Sequence, residues 1–105
     1  MSRFNVHANS GPHATTTPYL LDVQSDLLGG LDTRVVIPLR RRDRFPGTKL
    51  PADLMPVFVV EGIECILETP KLAAVPQRLL KPPVASLQAE SERIIAALDF
   101  LFQGY

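Results

Sequence analysis

Ten prolines stand in these 105 residues: Pro12, Pro18, Pro38, Pro46, Pro51, Pro56, Pro70, Pro76, Pro82 and Pro83. A proline lacks a backbone N–H and clashes with the turn before it, so the interior of a helix excludes it. The density is about twice the usual ~5%. Upstream of Pro82 the longest stretch free of proline, 19–37, is turn-rich. The remaining intervals read as strands: "FNVHA" from Phe4, "YLLDVQ" from Tyr19, "TRVVIPL" from Thr33, "PVFVVEGIECILE" from Pro56 and a short "LAAVP" from Leu72. Glu61-Gly62 reads as the turn of a hairpin joining Val57–Val60 to Ile63–Glu68. "NSGPHATTTP" and "GGLD" read as loops. Gly29-Gly30 is a turn signal and not a phosphate cradle, because neither a helix pattern nor a lysine follows it.

Beyond Pro83 the pattern changes. "SLQAESERIIAALDFLFQGY" offers Ser86 as an N-cap, Glu90 and Glu92 early and no further proline, which predicts a helix from about Leu87 to Phe102. Leu87, Ile94, Leu98 and Leu101 fall on one stripe, widened by Ile95 and Phe102, and this stripe is expected to pack on the sheet. Phe102 is assigned to the chain's own core. Phe100 and Tyr105 lie off the stripe or past its end and are assigned at least equally to a partner. Gly104 terminates the helix. The fold class is therefore mainly β with one C-terminal α-helix. It forms one domain over 1–105, with strands within 1–76, a linker at 77–85 and the helix at 86–103.

Composition narrows the chemistry. Apolar residues make up 46% and charged residues 21%, enough for a core, while 11 basic against 11 acidic residues leave no net field toward nucleic acid or anionic membrane. The opening "MSRFNVHANS" has no apolar run of secretory length, and "IIAALDFLF" is too short to span a bilayer, so a cytoplasmic protein without membrane contact is expected. Cys65 is the only cysteine, flanked by strand-like apolar residues, and reads as a buried inert thiol. His7 and His13 read as a strand residue and a loop residue, so no metal and no cofactor are expected.

Two polar groupings remain. "DVQSD" places Asp22, Gln24 and Asp26 on one side of an extended segment and Val23 and Ser25 on the other, and reads as a solvated strand end rather than a catalytic group with Arg34. "RRRDR", Arg40 to Arg44, is the one dense charge patch, either a solvated loop or a dock for an acidic peptide or nucleic acid.

"LDVQSDLLGGLDTRVVIPL" from Leu21 to Leu39, then "LAAVP" and a terminal "LFQGY", resemble the CcdB family of toxins that poison bacterial DNA gyrase. The resemblance spans nearly the whole chain in the same order. It implies a compact antiparallel sheet of the SH3-like partial-barrel type shared by CcdB and MazF toxins, with a small second sheet, a C-terminal helix and a homodimer. It implies no catalysis: the last residues of both helices insert into the gyrase A subunit and hold the enzyme in its DNA-cleaved state. Carried over by motif, the gyrase-binding positions are Leu27, Leu28, Asp99, Phe102, Gln103, Gly104 and Tyr105. Asp99 stands where the family has asparagine, Gln103 where it has tryptophan and Tyr105 where it has isoleucine. The resemblance also implies a CcdA-like antitoxin with a disordered acidic tail, for which Arg40, Arg41, Arg42 and Arg44 are the expected contacts. Operator DNA would be bound only in complex with that antitoxin. Two alternatives stand beside this: a MazF-like endoribonuclease using Arg34 with Ser25 or Asp22, and a degenerate toxin that only binds antitoxin.

Overall fold

The computed structural model describes residues 2–46 and 51–104. The proline-bounded intervals form strands β1 (Asn5–Ala8), β2 (Tyr19–Asp22), β3 (Thr33–Arg41), β4 (Val57–Val60), β5 (Ile63–Leu67), β6 (Ala73–Pro76) and β7 (Pro83–Ser86), followed by helix α1 (Ser91–Gln103). All pairings are antiparallel. The order is β4-β5-β3-β2-β1-β7, with β6 added alongside β3, so the chain is mainly β, a curled half-barrel sheet with one C-terminal helix. The second small sheet is thus continuous with the first.

Alternation along the strands puts Val6, Leu21, Ile37, Leu39, Cys65 and Leu67 on one face, where each is fully buried. Ile94 and Ala97 of α1 close this core. The opposite face of β3 carries Arg34, Val36, Pro38 and Arg40. One edge of β3 serves two partners: Thr33–Val36 pair with β6 and Leu39–Arg41 pair with β5. Pro38 lies between them. Its carbonyl accepts the Glu68 N–H at 2.9 Å, so its backbone faces this seam, where the donor that proline lacks is not asked of it. A proline is thereby accommodated inside a central strand.

The hairpin turn falls at Glu61-Gly62 as expected. Both residues have positive φ, 51° and 81°, the geometry that lets a two-residue turn follow the strand twist. Tyr19 Oη donates to Glu61 Oε1 at 2.6 Å across the sheet.

The stretch expected as a linker, 77–85, holds a 3-10 turn at Gln77–Leu79 and the start of β7. Pro82 and Pro83 hide that strand from the sequence. Its place at the sheet edge, beside β1 alone, makes proline tolerable there. α1 also begins later than expected. Ser86 Oγ accepts the Gln88 N–H at 3.2 Å, but Ser86 is not the N-cap: Leu87 precedes a 3-10 turn at Gln88–Glu90, and Glu90 precedes the helix. Gly104, at φ 79°, ends the helix as expected, its N–H bonded to Phe100 O. Phe102 departs from its assignment to the core. It is eight residues after Ile94, about 80° round the helix at 3.6 residues per turn, and 70% exposed, while Ala97 takes the buried position.

Candidate functional site

The "DVQSD" segment is not a solvated strand end. Asp22 and Arg34 are fully buried and meet across β2 and β3, with Arg34 Nε donating to Asp22 Oδ2 at 2.8 Å and Nη2 to Oδ1 at 2.9 Å. Nη2 also reaches Gln24 O at 3.2 Å and lies 3.8 Å from Asp26. Gln24 bridges further: its Oε1 accepts the Val35 N–H, and its Nε2 donates to Leu28 O. Asp26 Oδ1 accepts the Arg3 N–H, and Ser25 Oγ accepts the Leu27 N–H. Arg34 meets Asp22, the Gln24 carbonyl and Asp26, although β2 ends at Asp22 and Asp26 already belongs to the 3-10 turn, so the alternation expected along the whole segment holds only at its start.

This network anchors a single 3-10 turn, Asp26–Leu28. The turn presents Leu27 at 95% exposure, with Leu28 and Leu31 also exposed. Leu27 is thus an apolar side chain held in water on a tethered turn. Arg34, Asp22 and Ser25, the acting groups of the ribonuclease alternative, are all engaged in holding this turn.

The second element is the end of α1. Phe102, Gln103 and Gly104 are exposed, as are Asp99 and Phe100. Tyr105 lies outside the described residues. Arg93, on the same helix, stacks over Phe58 at 4.5 Å and donates to Val57 O, which fastens the helix to β4 well before its aromatic end.

The arginine cluster divides into two kinds. Arg41 makes a twofold contact with Asp43 at 3.0 and 2.9 Å, which raises the Arg41 pKa and lowers that of Asp43. Arg42 lies 3.8 Å from Glu64. Arg40 instead bonds the Arg44 carbonyl and leans over Phe45, and among the described residues no carboxylate forms an ion pair with Arg40 or Arg44.

The remaining candidates are structural. Burial pushes the Cys65 thiol up to about 11, and its Sγ donates to Ile63 O. His7 Nδ1 donates to Lys81 O at 2.6 Å, tying the crossing before β7 to β1, and His13 sits in a loop. No group of three or more metal-ligating side chains occurs among the described residues.

A family model described as CcdB protein matches residues 3–104 of the chain. The chain belongs to the CcdB family. Comparison with individual curated proteins gives no match. CcdB membership implies a toxin of a type II toxin–antitoxin system that targets DNA gyrase, from a family that poisons this enzyme and is not itself a catalyst. The partners it implies are gyrase and a CcdA antitoxin. The match takes in every strand, the tethered Leu27 turn and α1. Among the described residues no helix is long and apolar enough to cross a membrane.

Proposed function

We propose that this CcdB-family chain acts in the cytoplasm as a homodimer that inserts the ends of its two C-terminal helices into the gyrase A subunit and traps the enzyme with its DNA cleaved. The contacts are Leu27, Leu28, Asp99, Phe102, Gln103, Gly104 and Tyr105. The observation that carries the reading is apolar exposure without an internal partner: Leu27 at 95% and Phe102 at 70%. Covering such side chains returns about 25 cal/mol per Å² of apolar surface, and aromatic anchors commonly dominate interfaces. Gln103 brings less apolar surface than the family tryptophan, and Tyr105, a ring with a polar tip, offsets part of the difference. A CcdA-like antitoxin opposes this action through a disordered acidic tail held near Arg40 to Arg44, and operator DNA is bound only by the two proteins together.

The test mixes the purified chain with gyrase, ATP and supercoiled plasmid and traps cleavage complexes with detergent and protease. A variant lacking Gln103 to Tyr105 serves as the control. Linear DNA is expected only with the full chain. If gyrases from several bacteria yield none, the reading falls.

A further inference from the structure

Just before β1, Phe4 stands in the left-handed region at φ 69°, where a residue with a Cβ is held at a cost in free energy. Its ring is buried in the core. Its N–H donates to Asp22 O at 2.7 Å, and its carbonyl accepts the Leu87 N–H at 2.8 Å. Leu87 opens the 3-10 turn Gln88–Glu90 that leads into α1. The preceding residue reaches the other way. Arg3 donates its backbone N–H to Asp26 Oδ1 at 2.8 Å and its Nε to Val23 O at 3.0 Å, and its guanidinium lies 4.7 Å from the centre of the Phe4 ring.

We propose that Arg3 and Phe4 are positioning residues: they form a strap that ties the Leu27 turn directly to the root of α1 and so fixes the spacing at which the turn and the helix end are presented to gyrase. The proposal rests on the gyrase reading above and adds to it two residues outside its contact set.

Topology supplies the first argument. The polar fastening of α1 at Arg93 is made to β4, and from there the Leu27 turn is reached only through β5, β3 and β2. Each step of that path carries its own variable twist. The core contacts of Ile94 and Ala97 are apolar and without direction, so they hold the helix down without setting its bearing on the turn. The strap runs from Leu87 to Phe4, along the chain to Arg3, and on to Asp26, and is far shorter. Conformation supplies the second argument. The positive φ falls at the residue between the two links, and strain of this kind persists where the surroundings over-determine it, here through the Asp22 and Leu87 bonds and the buried ring. The third comes from Asp26. The oxygen that accepts the Arg3 N–H also lies 3.8 Å from Arg34 Nη2, so strap and buried network meet on one side chain.

The experiment reads amide hydrogen exchange residue by residue, by NMR on the full chain, beside the plasmid assay. Asp26→Ala removes the acceptor of the Arg3 N–H. It is expected to speed exchange about tenfold at Leu28 and Gly29, whose N–H groups close the turn, and also at Leu87, with the amides of β4 and β5 unchanged as the reference for global stability. Asp26→Asn keeps an oxygen in that place and should restore protection at all three, which it would not do if the Asp26 charge toward Arg34 were what mattered. Arg3→Ala keeps its N–H, loses the bond to Val23 and should give a smaller rise, about threefold. Trapping gyrase should take about tenfold more of the Asp26→Ala protein than of the parent, and Asp26→Asn should recover most of that loss. Exchange that rises in the turn but not at Leu87 overturns the strap, as does a rise spread evenly through β4 and β5. A loosened turn that traps gyrase as well as the parent does overturns the positioning role. If the parent itself traps no gyrase, the gyrase reading falls and the three amides decide alone: coupled exchange upholds the strap, and uncoupled exchange removes it.

Discussion

A guanidinium and a carboxylate withdrawn from water need each other more than the fold needs either. Arg34 and Asp22 are both buried, so Arg34→Ala leaves a bare carboxylate in the interior and should cost about 3–5 kcal/mol, read from urea unfolding. Replacing both by apolar residues of similar size, Asp22→Leu with Arg34→Met, should recover only part of that loss: the pair itself exchanges for hydrocarbon at little cost, but the buried Gln24 N–H and carbonyl lose Asp22 Oδ1 and Arg34 Nη2. That double variant also cuts the tether of the Leu27 turn, so weaker gyrase trapping than the stability change alone explains is expected. At alkaline pH the single residues to watch are Tyr19 and Cys65. Burial, with the bond to Glu61, pushes Tyr19 from 10.0 up to about 12, and burial pushes Cys65 from 9.0 to about 11. A raised pKa means that the folded state holds its proton more tightly. Tyr19 therefore contributes fully below pH 10, and its contribution is lost as the pH climbs toward about 12. Tyr19→Phe should flatten that limb of a stability–pH profile, and the Cys65 thiol should react with a disulfide reagent at pH 8 only as fast as the protein unfolds.

At the scale of elements, α1 has a face that holds the fold and an end that does not. Ile94 is fully buried, and Ile94→Ala should cost about 2–5 kcal/mol. Phe102→Ala should shift stability by less than about 0.5 kcal/mol, because a mostly exposed side chain gives up little in the folded state. The same change should abolish gyrase trapping; thermal melts beside the plasmid assay separate the two effects. This division was only half legible in the sequence. The periodicity marked the stripe and Gly104 its end. Phe102 looked like core because its apolar character is the same whether a sheet or a partner covers it, and only the packing of α1, which turns Ile94 and Ala97 inward, decides which. Six of the strands were readable from proline spacing and β-branched runs. β7 was not, because a double proline is a breaker in a central strand and harmless at an edge, and edge position is a property of pairing. The Asp22–Arg34 network was hidden for a related reason. The segment reads as extended through Asp26, whereas the strand ends at Asp22, and the opposing Arg34 comes from the register of β2 with β3, which no local pattern contains.

For the whole molecule, a net charge of zero hides an uneven surface. Arg41 and Arg42 are paired within the chain, while Arg40 and Arg44 meet no carboxylate among the described residues. Antitoxin affinity should therefore fall steeply as salt rises from tens to hundreds of millimolar, since exposed charges are screened within about 10 Å at 0.1 M. An affinity that does not change with salt would place the antitoxin on the apolar surface instead. Sedimentation at micromolar concentration is expected to give a dimer that persists in Phe102→Ala, as it should if that residue serves gyrase and not self-association.

The seam at Pro38 also bears on how the chain survives its own synthesis. β2 and β3 emerge before β5 and β6, at about 5–20 residues per second, and until those partners arrive one edge of "VVIPL" is open. An apolar β-branched run of that kind is what stacks into cross-β aggregates, and a proline within it is what such stacks do not accept. The residue that the finished sheet merely accommodates thus guards the unfinished one. A toxin gene carrying valine at that position would be expected to yield inclusion bodies before it yielded poison.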